Sequence, residues 1–94
     1  MPNETVHKFD FDNAGDAVIT IPADARVIHT AEQAGYARLW VRLDSDAPRV
    51  LRRFKMVGTG WQGVIAPSWP HVGSVMLQDG DLVFHIFEVL DDAK

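Results

Sequence analysis

Apolar and polar residues alternate with a period of two along most of this chain, and no long segment carries the 3.6-residue period of an amphipathic helix. The pattern therefore predicts strands. In residues 5–11, Thr5, His7, Phe9 and Phe11 share one face, while Val6, Lys8 and Asp10 share the other. Turn residues occupy 12–16, and the β-branched run AVITI at 17–21 makes a second strand, which Pro22 ends by removing a backbone donor. Residues 26–32 read as a third strand, although the AEQA run at 31–34 has helical propensity and leaves room for one short helix.

Residues 36–43 give the clearest strand. Leu39, Val41 and Leu43 form a core face, and Tyr36, Arg38, Trp40 and Arg42 form the opposite one. The turn-rich stretch 44–48 has the length of a hairpin connection and leads to a return strand at 49–57. On that strand Val50, Arg52, Phe54 and Met56 oppose Arg49, Leu51, Arg53, Lys55 and Val57. A long loop at 58–71 holds three glycines, two prolines and two of the three tryptophans, and loops of that length in small domains are commonly functional. A strand at 73–78, a tight Asp79-Gly80-Asp81 turn and the strand LVFHIFEV at 82–89 close the pattern. The last strand is apolar on both faces, which places it at the centre of a sheet or sandwiched between layers.

About seven short, mostly antiparallel strands in one chain predict an all-β fold, a small single-domain sandwich or a partly open barrel. Ninety-four residues suit one domain, with its ordered core at about 5–90 and a frayed tail. There is no cysteine, which excludes disulfides and thiolate chemistry, and neither a signal peptide nor a membrane span is legible. A cytoplasmic location is expected.

Charge sharpens this picture. Arg38, Arg42, Arg49, Arg52, Arg53 and Lys55 face only Asp44 and Asp46 within one segment, in a chain whose net charge is −4. A protein that is acidic apart from one basic stretch is ill suited to long polyanions, so sequence-specific nucleic-acid binding is not expected. A small anionic ligand fits better. Tyr36, Arg38, Trp40 and Arg42, joined by Arg53 or Arg52 depending on register, combine an indole for stacking with guanidiniums for charge-assisted bonds, as nucleotide recognition requires. Gly58, Thr59 and Gly60 offer backbone amides and a hydroxyl to an anion, with Trp61 beside them, although the Gly-Lys-Ser/Thr ending of a P-loop is missing. The same arginines and indole also suit a protein interface.

Catalysis has less support. There is no H-x-H, H-E-x-x-H or G-x-S-x-G spacing, and the paired aspartates sit in turns. His85 reads as a buried, hydrogen-bonded histidine, as does His7, and His29 and His71 have no ligand at metal spacing. No enzyme activity, metal or cofactor is expected.

Leu39-Trp40, Asp44 with Ala47-Pro48, Arg52-Arg53-Phe54, Gly58-Thr59-Gly60 and the closing run from Gly80 to Glu88 form a pattern that resembles a family of small uncharacterised phage and prophage proteins. The resemblance covers about residues 6–88, with Trp61-Gln62-Gly63-Val64-Ile65 departing from the family's usual segment. It implies a phage or prophage origin, action in the host cytoplasm and a compact β fold. By analogy with other small phage proteins, it also suggests sequestration of a nucleotide immune signal to counter host defence. The expected function is therefore non-enzymatic binding of a small anionic ligand by a homo-oligomer, a pocket shared between subunits burying more ligand than one chain can. The alternative is an interaction module whose basic strand face docks on an acidic host or phage protein.

Overall fold

The computed structural model describes residues 3–90. Seven strands form two sheets: β1 (Glu4–Asp10), β2 (Asp16–Pro22), β3 (Arg26–Gln33), β4 (Tyr36–Asp44), β5 (Arg49–Gly58), β6 (His71–Leu77) and β7 (Leu82–Val89). Sheet A has the order β1-β4-β3 and sheet B the order β2-β5-β7-β6, with every pairing antiparallel. This is the expected all-β single domain, built as a sandwich whose sheets are not closed into a barrel. Its shortest dimension is 18 Å, that of two stacked sheets.

The core lies between the sheets and follows the alternation. Ala37, Leu39, Val41 and Leu43 of β4 meet Ala17 and Ile21 of β2, Phe54 of β5, Val75 of β6 and Ile86 of β7. Leu39 and Val41 are 0 % exposed, so the core face of β4 is the one read from sequence. Strand β7 is central in its sheet, between β5 and β6.

Three readings need correction. The stretch 44–48 does not close a hairpin: β4 pairs with β1 and β3, whereas β5 pairs with β2 and β7 in the other sheet. The chain crosses between layers there, held by the Asn3 carbonyl accepting from Ser45 N–H (2.9 Å) and by Asn3 Nδ2 donating to Asp46 Oδ2 (2.6 Å). Hairpins occur instead at β3–β4 and β6–β7. The 31–34 segment forms no helix: Ala31 to Gln33 complete β3, and Ala34 (φ 54°) with Gly35 (φ 86°) make the two-residue turn into β4. His7, finally, is exposed, because β1 is an edge strand.

Strands β3 and β6 are edges of different sheets, and Thr30 joins them. Its Oγ1 donates to the Ser74 carbonyl (2.8 Å) and accepts from Ser74 N–H (3.1 Å), satisfying edge groups that would otherwise need water. The seam depends on Gly73, since a Cβ there would sit 2.7 Å from Thr30 Cγ2.

Candidate functional site

Tyr36, Arg38, Trp40 and Arg42 project together from the outer face of sheet A, because they alternate with the buried residues of its central strand. Neighbouring strands complete the face. Trp40 lies opposite Lys8 of β1 and His29 of β3, and its ring centroid is 5.0 Å from that of His29. Arg38 Nη1 donates to Gln33 Oε1 at 2.8 Å, the guanidinium carbon lies 5.9 Å from the Tyr36 ring centroid, and Lys8 Nζ donates to the same Gln33 oxygen at 2.7 Å. Tyr36 itself is 59 % exposed.

The charge differs from the linear reading. Arg38 Nε lies 3.2 Å from Asp10 Oδ1 and Arg42 Nε 2.6 Å from Glu4 Oε1, so β1 supplies each arginine with a carboxylate. The Arg38–Asp10 approach is a charge contact without hydrogen-bond alignment at Nε. Across the face, Lys8, Arg26, Arg38 and Arg42 stand against Glu4, Asp10 and Asp44, a small positive excess on an acidic chain.

Arg53 does not join this group. It alternates with buried Phe54 on β5 and therefore faces outward from sheet B, on the other side of the sandwich, with Lys55 beside it. Lys55 Nζ is 3.5 Å from Asp16 Oδ1, and Arg49 Nη1 donates to the Thr20 carbonyl. Arg52 points inward: it forms a two-point ion pair with Glu88 (2.7 and 2.8 Å) and donates through Nη1 to the carbonyls of Ala25, Pro22 and Ala23. The basic stretch of the sequence is thus divided among the outer face of sheet A, the interior and the outer face of sheet B.

Gly58, Thr59, Gly60 and Trp61 form the turn that leaves β5, with Trp61 N–H donating to the Gly58 carbonyl. The Trp61 indole lies directly over Gly58, where a Cβ would come within 2.5 Å of it, and meets Phe84 edge-on at 6.0 Å. Thr59 N–H and Oγ1 both donate to the Val83 carbonyl. Its hydroxyl and amide are therefore committed to the protein and do not form an anion nest. A concavity of about 200 Å³ lies here, lined by Thr59, Trp61, Asp81 and Phe84. Trp69, at the far end of the same loop, is pinned by Nε1 donating to the Leu90 carbonyl at 3.0 Å.

Other concavities lie away from Trp40. One of about 410 Å³ at the end of sheet A is lined by Glu4, Asp24 and Asp44 with Arg26 and Arg42, a mixture that does not favour an anion. On sheet B, one of about 360 Å³ borders Arg53, Lys55, Trp69, Asp12 and Asp16. Tyr36, Arg38 and Trp40 line none of these three, and their face is an open sheet.

A cluster missed from sequence lies on the outer face of sheet B. His85 Nε2 is 2.9 Å from Thr59 Oγ1, His85 Nδ1 is 3.3 Å from Ser74 Oγ, and His71 Nε2 is 3.4 Å from that same oxygen. His85 is half-buried and hydrogen-bonded, but it faces outward rather than into the core. Its bonded partner Ser74 is the cross-strand neighbour that only the β6–β7 register supplies.

Among the described residues no helix is long and apolar enough to cross a membrane. No curated protein and no solved structure matches the chain. Residues 2–94 match the family described as a domain of unknown function (DUF7352), and the chain belongs to that family.

Proposed function

We propose that this protein is a non-enzymatic binding module that docks the outer face of sheet A against an acidic protein surface. The observation that carries the reading is Trp40: an indole at the centre of an open three-stranded face, flanked by His29 and Lys8 and surrounded by arginine-carboxylate pairs. An aromatic anchor within a charged rim is the usual anatomy of a protein interface. The small positive excess of the face against an otherwise acidic chain supports an acidic partner.

Capture of a nucleotide draws less support from the same geometry. A ligand of that size needs a concave site that buries most of its surface, and a phosphate would have to displace Asp10 or Glu4 from the arginines. A phage origin and a role against host defences rest on the motif resemblance. A small one-domain acidic binder would suit that role.

A photo-cross-linking residue placed at Lys8, beside Trp40, tests the reading in lysate of the native host. One salt-sensitive protein adduct is expected from Lys8, absent when the probe stands at Leu51 on sheet B and absent in a Trp40→Ala background of unchanged Tm. Equal adducts from both positions would overturn it. So would a self-adduct alone, which would make the face a homo-oligomer interface, or a nucleotide released on heating the purified protein.

A further inference from the structure

The hydroxyl-imidazole chain on sheet B plays no part in the docking face. Thr59 Oγ1 lies 2.9 Å from His85 Nε2 and 3.2 Å from the Val83 carbonyl. On the other side of the ring, His85 Nδ1 lies 3.3 Å from Ser74 Oγ. His71 Nε2 reaches the same oxygen from the other side. Two imidazole nitrogens on neighbouring strands thus converge on one exposed hydroxyl, with ring centroids 6.3 Å apart.

That separation has a chemical meaning. Two metal–nitrogen bonds of about 2.0–2.1 Å span at most roughly 4 Å, and with both nitrogens within 3.4 Å of Ser74 Oγ, a rotation of the exposed His71 ring that directs its in-plane lone pair toward His85 Nδ1 brings them to that span. We propose that His71 and His85 form an exchangeable two-histidine site for a divalent transition ion, with Ser74 Oγ and water completing its coordination. The donor set defines the class. Imidazole without thiolate or carboxylate suits copper(II), nickel(II) and zinc(II) and does not suit calcium or magnesium, and copper(II) binds tightest in the order of divalent affinities.

Two features keep the site weak. Among the described residues no group of three or more histidine, cysteine, aspartate or glutamate side chains comes together as a metal-binding set. Lys55 lies one strand-pair away, opposite Phe87, which pairs in turn with His71, and its charge is only partly offset by Asp16. The site is accordingly an exchangeable surface chelate that would bridge β6 and β7 and leave the fold unchanged.

Copper(II) titration of the full chain, followed by calorimetry and electron paramagnetic resonance, tests this. One equivalent should bind with a two-nitrogen signature, nickel(II) and zinc(II) more weakly, and magnesium not at all. His71→Ala removes an exposed ligand without touching the core. It should weaken binding at least about tenfold, the loss seen for disturbing even a ligand's supporting bond, and leave one nitrogen in the spectrum. His29→Ala should change neither. Binding of the same strength in wild type and His71→Ala, loss of copper on His29→Ala, or a spectrum showing oxygen donors alone would overturn the proposal.

Discussion

Replacing Arg52 by Met removes the one guanidinium that reaches into the sandwich, and its cost can be worked from the bonds it makes. Arg52 and Glu88 retain 15 % and 13 % of their side-chain exposure and meet at 2.7 and 2.8 Å through two parallel bonds. Arg52 Nη1 also donates to the Ala25 carbonyl at 2.7 Å and to those of Pro22 and Ala23 at 3.2 and 3.4 Å, fixing the β2–β3 turn onto β5 and β7. Removing one partner of a fully buried pair typically costs about 3–5 kcal/mol, because the other charge is stranded, and this part-buried pair should lose about 2–3 kcal/mol. A domain of this size holds about 5–15 kcal/mol in all, so the variant should lose a large share of its stability. In urea, with a slope of about 1 kcal/mol per molar for a small protein, the midpoint should fall by roughly 2–3 M. The double variant Arg52→Met, Glu88→Leu strands no charge and should recover part of the loss, but not all of it, since three carbonyls have still lost their donor. Urea unfolding followed by far-UV circular dichroism measures both. A single-variant loss under about 1 kcal/mol, as for a solvated surface pair, or simple additivity in the double variant, would refute the assignment of Arg52 as an interior tie.

Gly73→Ala places a methyl group 2.7 Å from Thr30 Cγ2 and forces Thr30 out of its two bonds to Ser74. A loss of about 1–3 kcal/mol in urea unfolding is expected, and Gly73→Ala should cost much less in a Thr30→Ala background, where only the Cβ contact at 3.1 Å remains. Gly58→Ala meets the Trp61 indole, but that ring is 55 % exposed and free to swing aside. The stability cost should stay near or below about 1 kcal/mol while tryptophan fluorescence shifts as the edge-on contact with Phe84 opens.

The strands, and the inward face of each, were legible because burial imposes a period of two that no other constraint disturbs at Leu39, Val41, Leu43 or Phe54. Partner choice was not legible. The link 44–48 suits a hairpin and a crossing between sheets equally in length and composition, and alternation reports only which side of a strand is buried. The deciding contacts, Ser45 and Asp46 with Asn3, come from the far N-terminal end of the chain. His71 and His85 were invisible as a pair for the same reason: the β6–β7 pairing, with its irregularity between His71 and Gly73, brings them together. Alternation set Arg52 on the face of Phe54 and Met56, opposite Arg53, but nothing in the sequence named Glu88 or the Ala25 carbonyl as its partners.

Charge was misread in a way that changes what the Trp40 face can do. Consecutive basic residues in a linear segment fall in three environments once β4 and β5 enter different sheets, and the acids that offset them, Glu4, Asp10 and Asp16, belong to β1 and β2. With Arg38 and Arg42 already paired, a partner's carboxylates gain little further energy from them at equilibrium, and the excess charge acts mainly by steering encounter. The indole, half-buried beside His29, retains the apolar area that would hold the proposed complex together. Raising salt should therefore lower the association rate of the docked complex severalfold and leave its dissociation rate nearly unchanged. Trp40→Ala should do the reverse, speeding dissociation by about tenfold for each 1.4 kcal/mol of lost contact. Surface plasmon resonance on the cross-linked partner, once purified, separates the two rates. A dissociation rate that rises with salt as steeply as with Trp40→Ala would mean that the arginines exchange their carboxylates on binding, and that charge, not the indole, holds the partner.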